Sequence, residues 1–342
     1  MDAARVYVPT QDGQLVALER ETGQRAWSAE LRLTRPPVLA GGHLLGSTGE
    51  ALVSLDPATG TRRWATPAGA AAMTLQPSPD GTVVVTVAHD RIQAFQVESG
   101  ERLWERPIET TGPRLPAVVA PEAAYVATGD GRLISVSLAD GSPRWTRTLP
   151  GDLGQPLAAA GTVFVGSTGN QFHALDGGDG HVRWSWRTGG DVVGAAAGTQ
   201  LMFFVALDNI LRAVNPGNGH QRWKQALPTR ALAPPVALAG HVVVAGLDPA
   251  LSSFDALTGS ADGTFAVPTI ADAGAPAEIL GQPLVDVALK PFRVSSVVVL
   301  RDGRVVALRA QSMLFREPVP VPLPALPGRV LGREPAPQLA LP

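Results

Sequence analysis

Short apolar runs recur along the chain and are separated by polar turns. Val6-Tyr7-Val8, Val83-Val84-Val85, Val163-Phe164-Val165, Val242-Val243-Val244 and Val297-Val298-Val299 are all β-branched or aromatic. They are too short for helices and have the composition of strands. An Asp-Gly turn often follows, as at Asp12-Gly13, Asp130-Gly131 and Asp302-Gly303. Glycine tolerates positive φ, so Asp-Gly between two apolar runs predicts a tight hairpin. A second apolar strand comes next ("LVAL", "FHAL"), then an acid, a glycine and a tryptophan. Ahead of several of these runs stands a segment of small residues and proline, such as "PPVLA" at 36–40 and "QPLAAA" at 155–160.

The polar punctuation is periodic. A turn glycine falls at Gly23, Gly60, Gly100, Gly141, Gly180, Gly219 and Gly259, at intervals of 37, 40, 41, 39, 39 and 40 residues. Four residues after each of the first six stands Trp27, Trp64, Trp104, Trp145, Trp184 or Trp223. A period near 40 with four short strands per unit predicts propeller blades. The 37 Gly and 31 Pro would break helices throughout, so helical repeats are excluded. Counting β-branched runs gives eight units. The expected fold is all-β, one eight-bladed propeller of four-stranded antiparallel blades spanning residues 1–342. In it the tryptophans lie between adjacent blades as a structural girdle, and the glycines shape the turns.

Three irregularities stand out. The seventh unit keeps Asp255, Thr258 and Gly259 but carries Gly263 at the tryptophan position. An Ala/Gly/Pro-rich insertion occupies about 267–282, between the seventh and eighth units; its Ile270, Ile279 and Leu280 are the candidate partner contacts. The chain opens directly on the second strand of its first unit, and its Pro-rich tail, 316–342, ends in "APQLALP". That ending resembles the innermost strand of the seventh unit, "APPVALA", so residues 336–342 are expected to complete the first blade and protect its edge.

Composition narrows the chemistry. The net charge is −2 and the basic residues do not cluster, so no nucleic-acid footprint is present. The absence of Cys excludes disulfides, thiol nucleophiles and Cys-ligated metal. No apolar stretch is long enough to span a membrane, and the opening "MDAARVYVP" has no signal-peptide core; a trimmed mature form is one expectation for such a chain. No phosphate loop, zinc motif or nucleophile elbow occurs. Four of the six histidines occupy repeated positions, His43 and His241 before apolar runs and His181 and His220 after the turn glycine, while His89 and His173 stand alone. Repeated positions are far apart around a ring, which argues against a metal site. Asp56 and Asp176 are expected to brace turns rather than serve as an acid–base pair, and Gln155 and Asp286 are candidates to line a central channel. No catalytic, cofactor-binding or metal-binding residue is assigned.

The pattern A-x-D-x-x-T-G-x-x-x-W resembles the pyrroloquinoline-quinone (PQQ)-like propeller repeat. It is carried by Ala17, Glu19, Thr22, Gly23 and Trp27, by Ser54, Asp56, Thr59, Gly60 and Trp64, and by Ala174, Asp176, Gly180 and Trp184. Gln96 and Ser137 replace the acid in the third and fourth units. The resemblance implies one of two branches. Quinoprotein dehydrogenases hold PQQ and Ca²⁺ at the ring centre; BamB-like propellers are non-enzymatic scaffolds of outer-membrane protein assembly. About 40 residues per blade, with no long excursions and no Cys pair, favours the scaffold. The expected role is therefore a monomeric, periplasmic or otherwise extracytoplasmic scaffold without cofactor, binding a protein or peptide through its loop faces. A PQQ- and calcium-dependent oxidoreductase and a sensor domain of a larger receptor are the alternatives.

Overall fold

In a computed structural model the described residues are 4–10, 12–19, 24–69, 74–88, 90–109, 116–231, 233–238, 240–246 and 250–266, with the backbone of strands at 288–292, 295–299 and 305–309. They form eight antiparallel sheets in chain order and no helix. Six sheets have four strands each. The second blade, for example, runs Val38–Ala40, His43–Ser47, Ala51–Leu55 and Arg62–Pro67, each strand paired with the next. The first blade shows three strands, Arg5–Pro9, Gln14–Glu19 and Arg25–Glu30; the eighth shows Ala288–Phe292, Ser295–Val299 and Val305–Arg309. From the second blade to the eighth, the innermost strands of neighbours lie against one another, so the sheets stand radially about a common axis. That is the architecture of a β-propeller.

Radial packing explains the composition of each strand. The second strand of a blade is buried on both faces. In the fourth blade Ala123, Tyr125 and Ala127 face the fifth, while Ala124 and Val126 face the third. With no wet face there is no polar alternation, and the strand reads as a continuous apolar run. The core is accordingly a series of layers, one per joint. The joint between the first and second blades holds Tyr7, Leu15, Ala17, Leu33, Leu44, Val53 and Leu55; the joint between the fifth and sixth holds Phe164, Phe172, Met202, Phe204 and Val214. The outermost strand is mostly solvated, and its tryptophan points inward.

One irregularity recurs in seven blades. The outermost strand carries one extra residue, so that Ala17 pairs with Trp27 but the next residue, Leu18, pairs with Arg25. The same bulge follows Ser54, Ala94, Ser135, Ala174, Ala213 and Ser253. A bulge re-aims the side chain beside it, and that side chain is the tryptophan in six blades. In the seventh it is Gly263, opposite Ser253.

The insertion at 267–282, with Ile270, Ile279 and Leu280, and the tail at 316–342 lie outside the described residues, as do Gly23, His89 and Asp286.

Candidate functional site: the joints between blades

The turn glycines and the tryptophans meet, but never within one motif. Each tryptophan ring lies on the turn glycine of the following blade: Trp27 on Gly60, Trp64 on Gly100, Trp104 on Gly141, Trp145 on Gly180, Trp184 on Gly219 and Trp223 on Gly259. A Cβ placed on any of these glycines would stand 2.5–2.8 Å from ring carbons. Their φ values, +70° to +75°, add a second reason for glycine. The residue both closes its own hairpin and makes room for its neighbour's ring.

The indole nitrogen fixes the contact. Trp27 Nε1 donates to the Pro57 carbonyl at 3.1 Å, Trp64 to Val97 at 3.0 Å, Trp104 to Leu138 at 2.8 Å, Trp145 to Gly177 at 3.0 Å, Trp184 to Pro216 at 2.9 Å and Trp223 to Ala256 at 3.1 Å. Each acceptor lies three residues before the covered glycine. Trp104 and Trp223 are buried, at 8% exposure each; Trp27, Trp64, Trp145 and Trp184 are half-buried.

A further set of groups at these joints escaped sequence reading. Two residues after the tryptophan, Thr66 donates to the Gly100 carbonyl at 2.8 Å, Arg147 to Gly180 at 2.9 Å, Trp186 to Gly219 at 2.5 Å and Gln225 to Gly259 at 2.7 Å. Arg106 reaches the Asp140 carbonyl, one residue earlier, at 3.2 Å. Thr, Arg, Trp and Gln share no shape; what repeats is a side-chain donor, a signal that a search for residue identity passes over. The chain's two tyrosines were missed as well. Tyr7 and Tyr125 pack against Trp27 and Trp145 with ring centroids 5.8 and 5.7 Å apart. Their hydroxyls donate to the carbonyls that the indoles use, Pro57 at 3.1 Å and Gly177 at 3.0 Å.

The carboxylates are absorbed by the turns. Asp56 Oδ1 accepts from the amides of Ala58 and Thr59 at 2.8 and 3.1 Å, and its Oδ2 accepts from Arg63 at 2.7 Å. The Arg63 hydrogen bond, helped by the Ala58 amide, holds the carboxyl down at about 2. Asp176 repeats the arrangement three blades on, with the Gly178 amide at 2.7 Å and Arg183 at 2.6 Å, and its pKa is lowered chiefly by Arg183. Asn215 braces the sixth turn without charge, accepting from Gly217 and Asn218 at 2.9 and 3.2 Å. Asp56 and Asp176 therefore sit in separate blades, ionised and saturated. Gln155, a candidate channel residue, donates from its Nε2 to the Ala117 carbonyl of the neighbouring blade at 2.5 Å.

The histidines are dispersed. His43 is buried, 2.7 Å from Ser54 Oγ and 3.0 Å from Glu98 Oε2 on the next blade. His241 meets Asp262 at 2.6 Å. His181 and His220 are exposed. Among the described residues, no three His, Asp or Glu side chains converge as a metal site would require. His173 is the unusual one. It is 3% exposed, neither ring nitrogen has a protein partner, and burial pushes its pKa down. A depressed folded pKa means that the stability it permits is present above the unfolded imidazole value and is lost as pH falls through the folded value. His173→Leu should therefore flatten the acid side of the melting-temperature profile below the unfolded imidazole value. Identical slopes for the two proteins would refute that assignment.

Radial four-stranded sheets joined by ring-on-glycine contacts define a β-propeller of PQQ-like repeats. The family described as "Outer membrane protein assembly factor BamB" matches residues 11–156, 88–211 and 186–313, and the chain belongs to that family. The outer membrane protein assembly factor BamB of Yersinia pestis is 25% identical over 195 residues, 51% of this chain and 49% of that protein. The chain thus matches about half the length of this curated relative. The crystal structure of BamB from Moraxella catarrhalis superposes with a TM-score of 0.63 at 17% identity, covering 80% of this chain and 82% of that one. The dihydro-heme d1 dehydrogenase NirN, in complex with DHE, superposes with a TM-score of 0.69 at 13% identity, covering 91% and 71%. These two likenesses establish the fold, which BamB and a dehydrogenase share.

Proposed function

We propose that this chain is a monomeric, non-catalytic scaffold of cell-envelope protein assembly, working outside the cytoplasm and holding a protein partner through its loop faces. The observation that carries the reading is the family match, which runs from residue 11 to residue 313 and whose curated members are assembly factors. The chemistry of the joints supports it. The repeated polar groups hydrogen-bond within turns or between blades, which leaves recognition to the loops that differ from blade to blade.

Partner contact is assigned to the insertion at 267–282, the largest departure from the repeat. The chain enters it from Ala266, at the end of the blade opposite the glycine turn. Ile270, Ile279 and Leu280 supply an apolar anchor, with Asp272 and Glu278 as a polar rim. A loop of about 16 residues is long for a compact domain and is more often functional than neutral.

The test is complementation. Exported in a cell lacking its own assembly factor, the chain should restore outer-membrane porin levels; an exported, folded chain that restores nothing would contradict the scaffold. A new absorbance band on adding PQQ and Ca²⁺ would support the oxidoreductase instead. Replacing Ile270–Leu280 by a Gly/Ser linker should abolish complementation at an unchanged melting temperature. Retained complementation would remove the insertion from the binding surface.

A further inference from the structure

The chain has four asparagines, and their following residues differ: Asn170-Gln171, Asn209-Ile210, Asn215-Pro216 and Asn218-Gly219. Asn-Gly is the dipeptide most prone to deamidation, because glycine has no side chain to hinder attack by its own backbone nitrogen. Asn218 is solvent-exposed, and Gly219 is the glycine beneath Trp184 at the joint between the fifth and sixth blades. Water therefore has access, and the labile bond lies inside a joint.

The folded turn restrains the chemistry. The Gly219 amide donates to the Asn215 carbonyl at 2.9 Å, so the nucleophilic nitrogen is occupied. The side chain is held in place as well, since Asn218 Oδ1 accepts from the His220 amide at 3.0 Å. The Asn218 amide donates to Asn215 Oδ1 at 3.2 Å. Trp186 Nε1 holds the Gly219 carbonyl at 2.5 Å, and the Trp184 ring covers the Cα. Attack needs the turn to open. The same position holds Thr59, Ser99 and Thr258, which cannot deamidate, and the acids Asp140 and Asp179. A carboxylate is a far poorer electrophile than a side-chain amide, so an aspartate here reacts more slowly than an asparagine. Asn218 has no such protection and depends on the joint.

We propose that Asn218 is a covalent modification site, deamidating at a rate set by opening of the joint between the fifth and sixth blades. The deprotonated Gly219 nitrogen attacks Asn218 Cγ; the new C–N bond closes a succinimide as ammonia leaves. Water then opens the ring at one carbonyl or the other, leaving aspartate or isoaspartate. Isoaspartate routes the main chain through an extra methylene and displaces Gly219 from beneath Trp184, so the modification loosens the joint that had restrained it.

The experiment incubates the full chain, native or unfolded in urea, in mildly alkaline buffer at physiological temperature. Mass spectrometry follows the peptide spanning Asn218, and isoaspartyl methyltransferase labelling identifies the product. Modification of an opened state tracks the open population. The native chain should convert at least about tenfold more slowly than the unfolded one. Trp184→Ala should raise the native rate roughly tenfold, and the milder Trp186→Phe, which keeps a ring but loses the bond to Gly219, roughly threefold. Asn218→Thr should show no conversion in this peptide. Equal rates in native and unfolded chains, or native rates unmoved in variants shown by circular dichroism to be folded, would overturn the gating. Faster conversion of another asparagine in the unfolded chain would overturn the site.

Discussion

Trp104→Ala is expected to destabilise the protein by about 3–5 kcal/mol, the range for removing a large buried side chain. Trp104 is the choice because it is 8% exposed and lies within the layer formed by Val85, Ala94, Ala117, Val126 and Val136. The change removes ring contacts from both blades and leaves the Leu138 carbonyl without its indole donor. Trp145→Ala should cost less, since part of that ring already meets water. Urea unfolding checks both; a Trp104→Ala midpoint equal to that of the parent would contradict the packing role.

Deletion of Ala336–Pro342 is the second large effect expected. The proposal that this segment completes the first blade rests on the likeness of "APQLALP" to the strand-forming "APPVALA" and on the first blade's three described strands. Burying Leu339 and Leu341 would contribute about 3–6 kcal/mol. Its loss would also expose a strand edge to other chains. The shortened chain should melt lower and aggregate on concentration by light scattering. A truncated protein that stays monomeric and melts with the parent would show that the ring closes without it.

The blades were legible in the sequence because the features that build them are local. A β-branched run, an Asp-Gly turn and an Asp-x-x-x-Gly turn each act within a few residues, and their period repeats in the text. The joints were legible only in part. Gly60 and Trp64 stand four apart, which suggests one shared task, yet they serve different joints: Gly60 receives Trp27 from the blade before, and Trp64 reaches Gly100 on the blade after. That pairing spans more than thirty residues and follows from the radial arrangement rather than from any short motif. The donors Thr66, Arg106, Arg147, Trp186 and Gln225 were hidden because the position demands a hydrogen-bond donor and tolerates almost any carrier. His173 was noted as standing alone, but its burial without a partner is a property of the packed layer. Two rings of the girdle are buried and four are half-buried. The outermost strand is the solvated edge of each blade, so a ring there can cover its neighbour's glycine and still be partly exposed.

The central claim is that the glycine of one blade and the tryptophan of the blade before form one energetic unit. A double-mutant cycle on Trp104 and Gly141 tests it most directly. Alone, Gly141→Ala should cost about 2–4 kcal/mol, combining a Cβ driven into the Trp104 ring with a left-handed φ of +70°. In the Trp104→Ala background the collision with the ring is gone; the backbone strain of about 1 kcal/mol and the milder approach to the flexible Arg106 side chain, at 3.0 Å, remain. The account predicts that the glycine substitution becomes milder by at least about 1 kcal/mol when the ring is absent, the coupling expected of residues in contact. Additive costs within about 0.5 kcal/mol would contradict it.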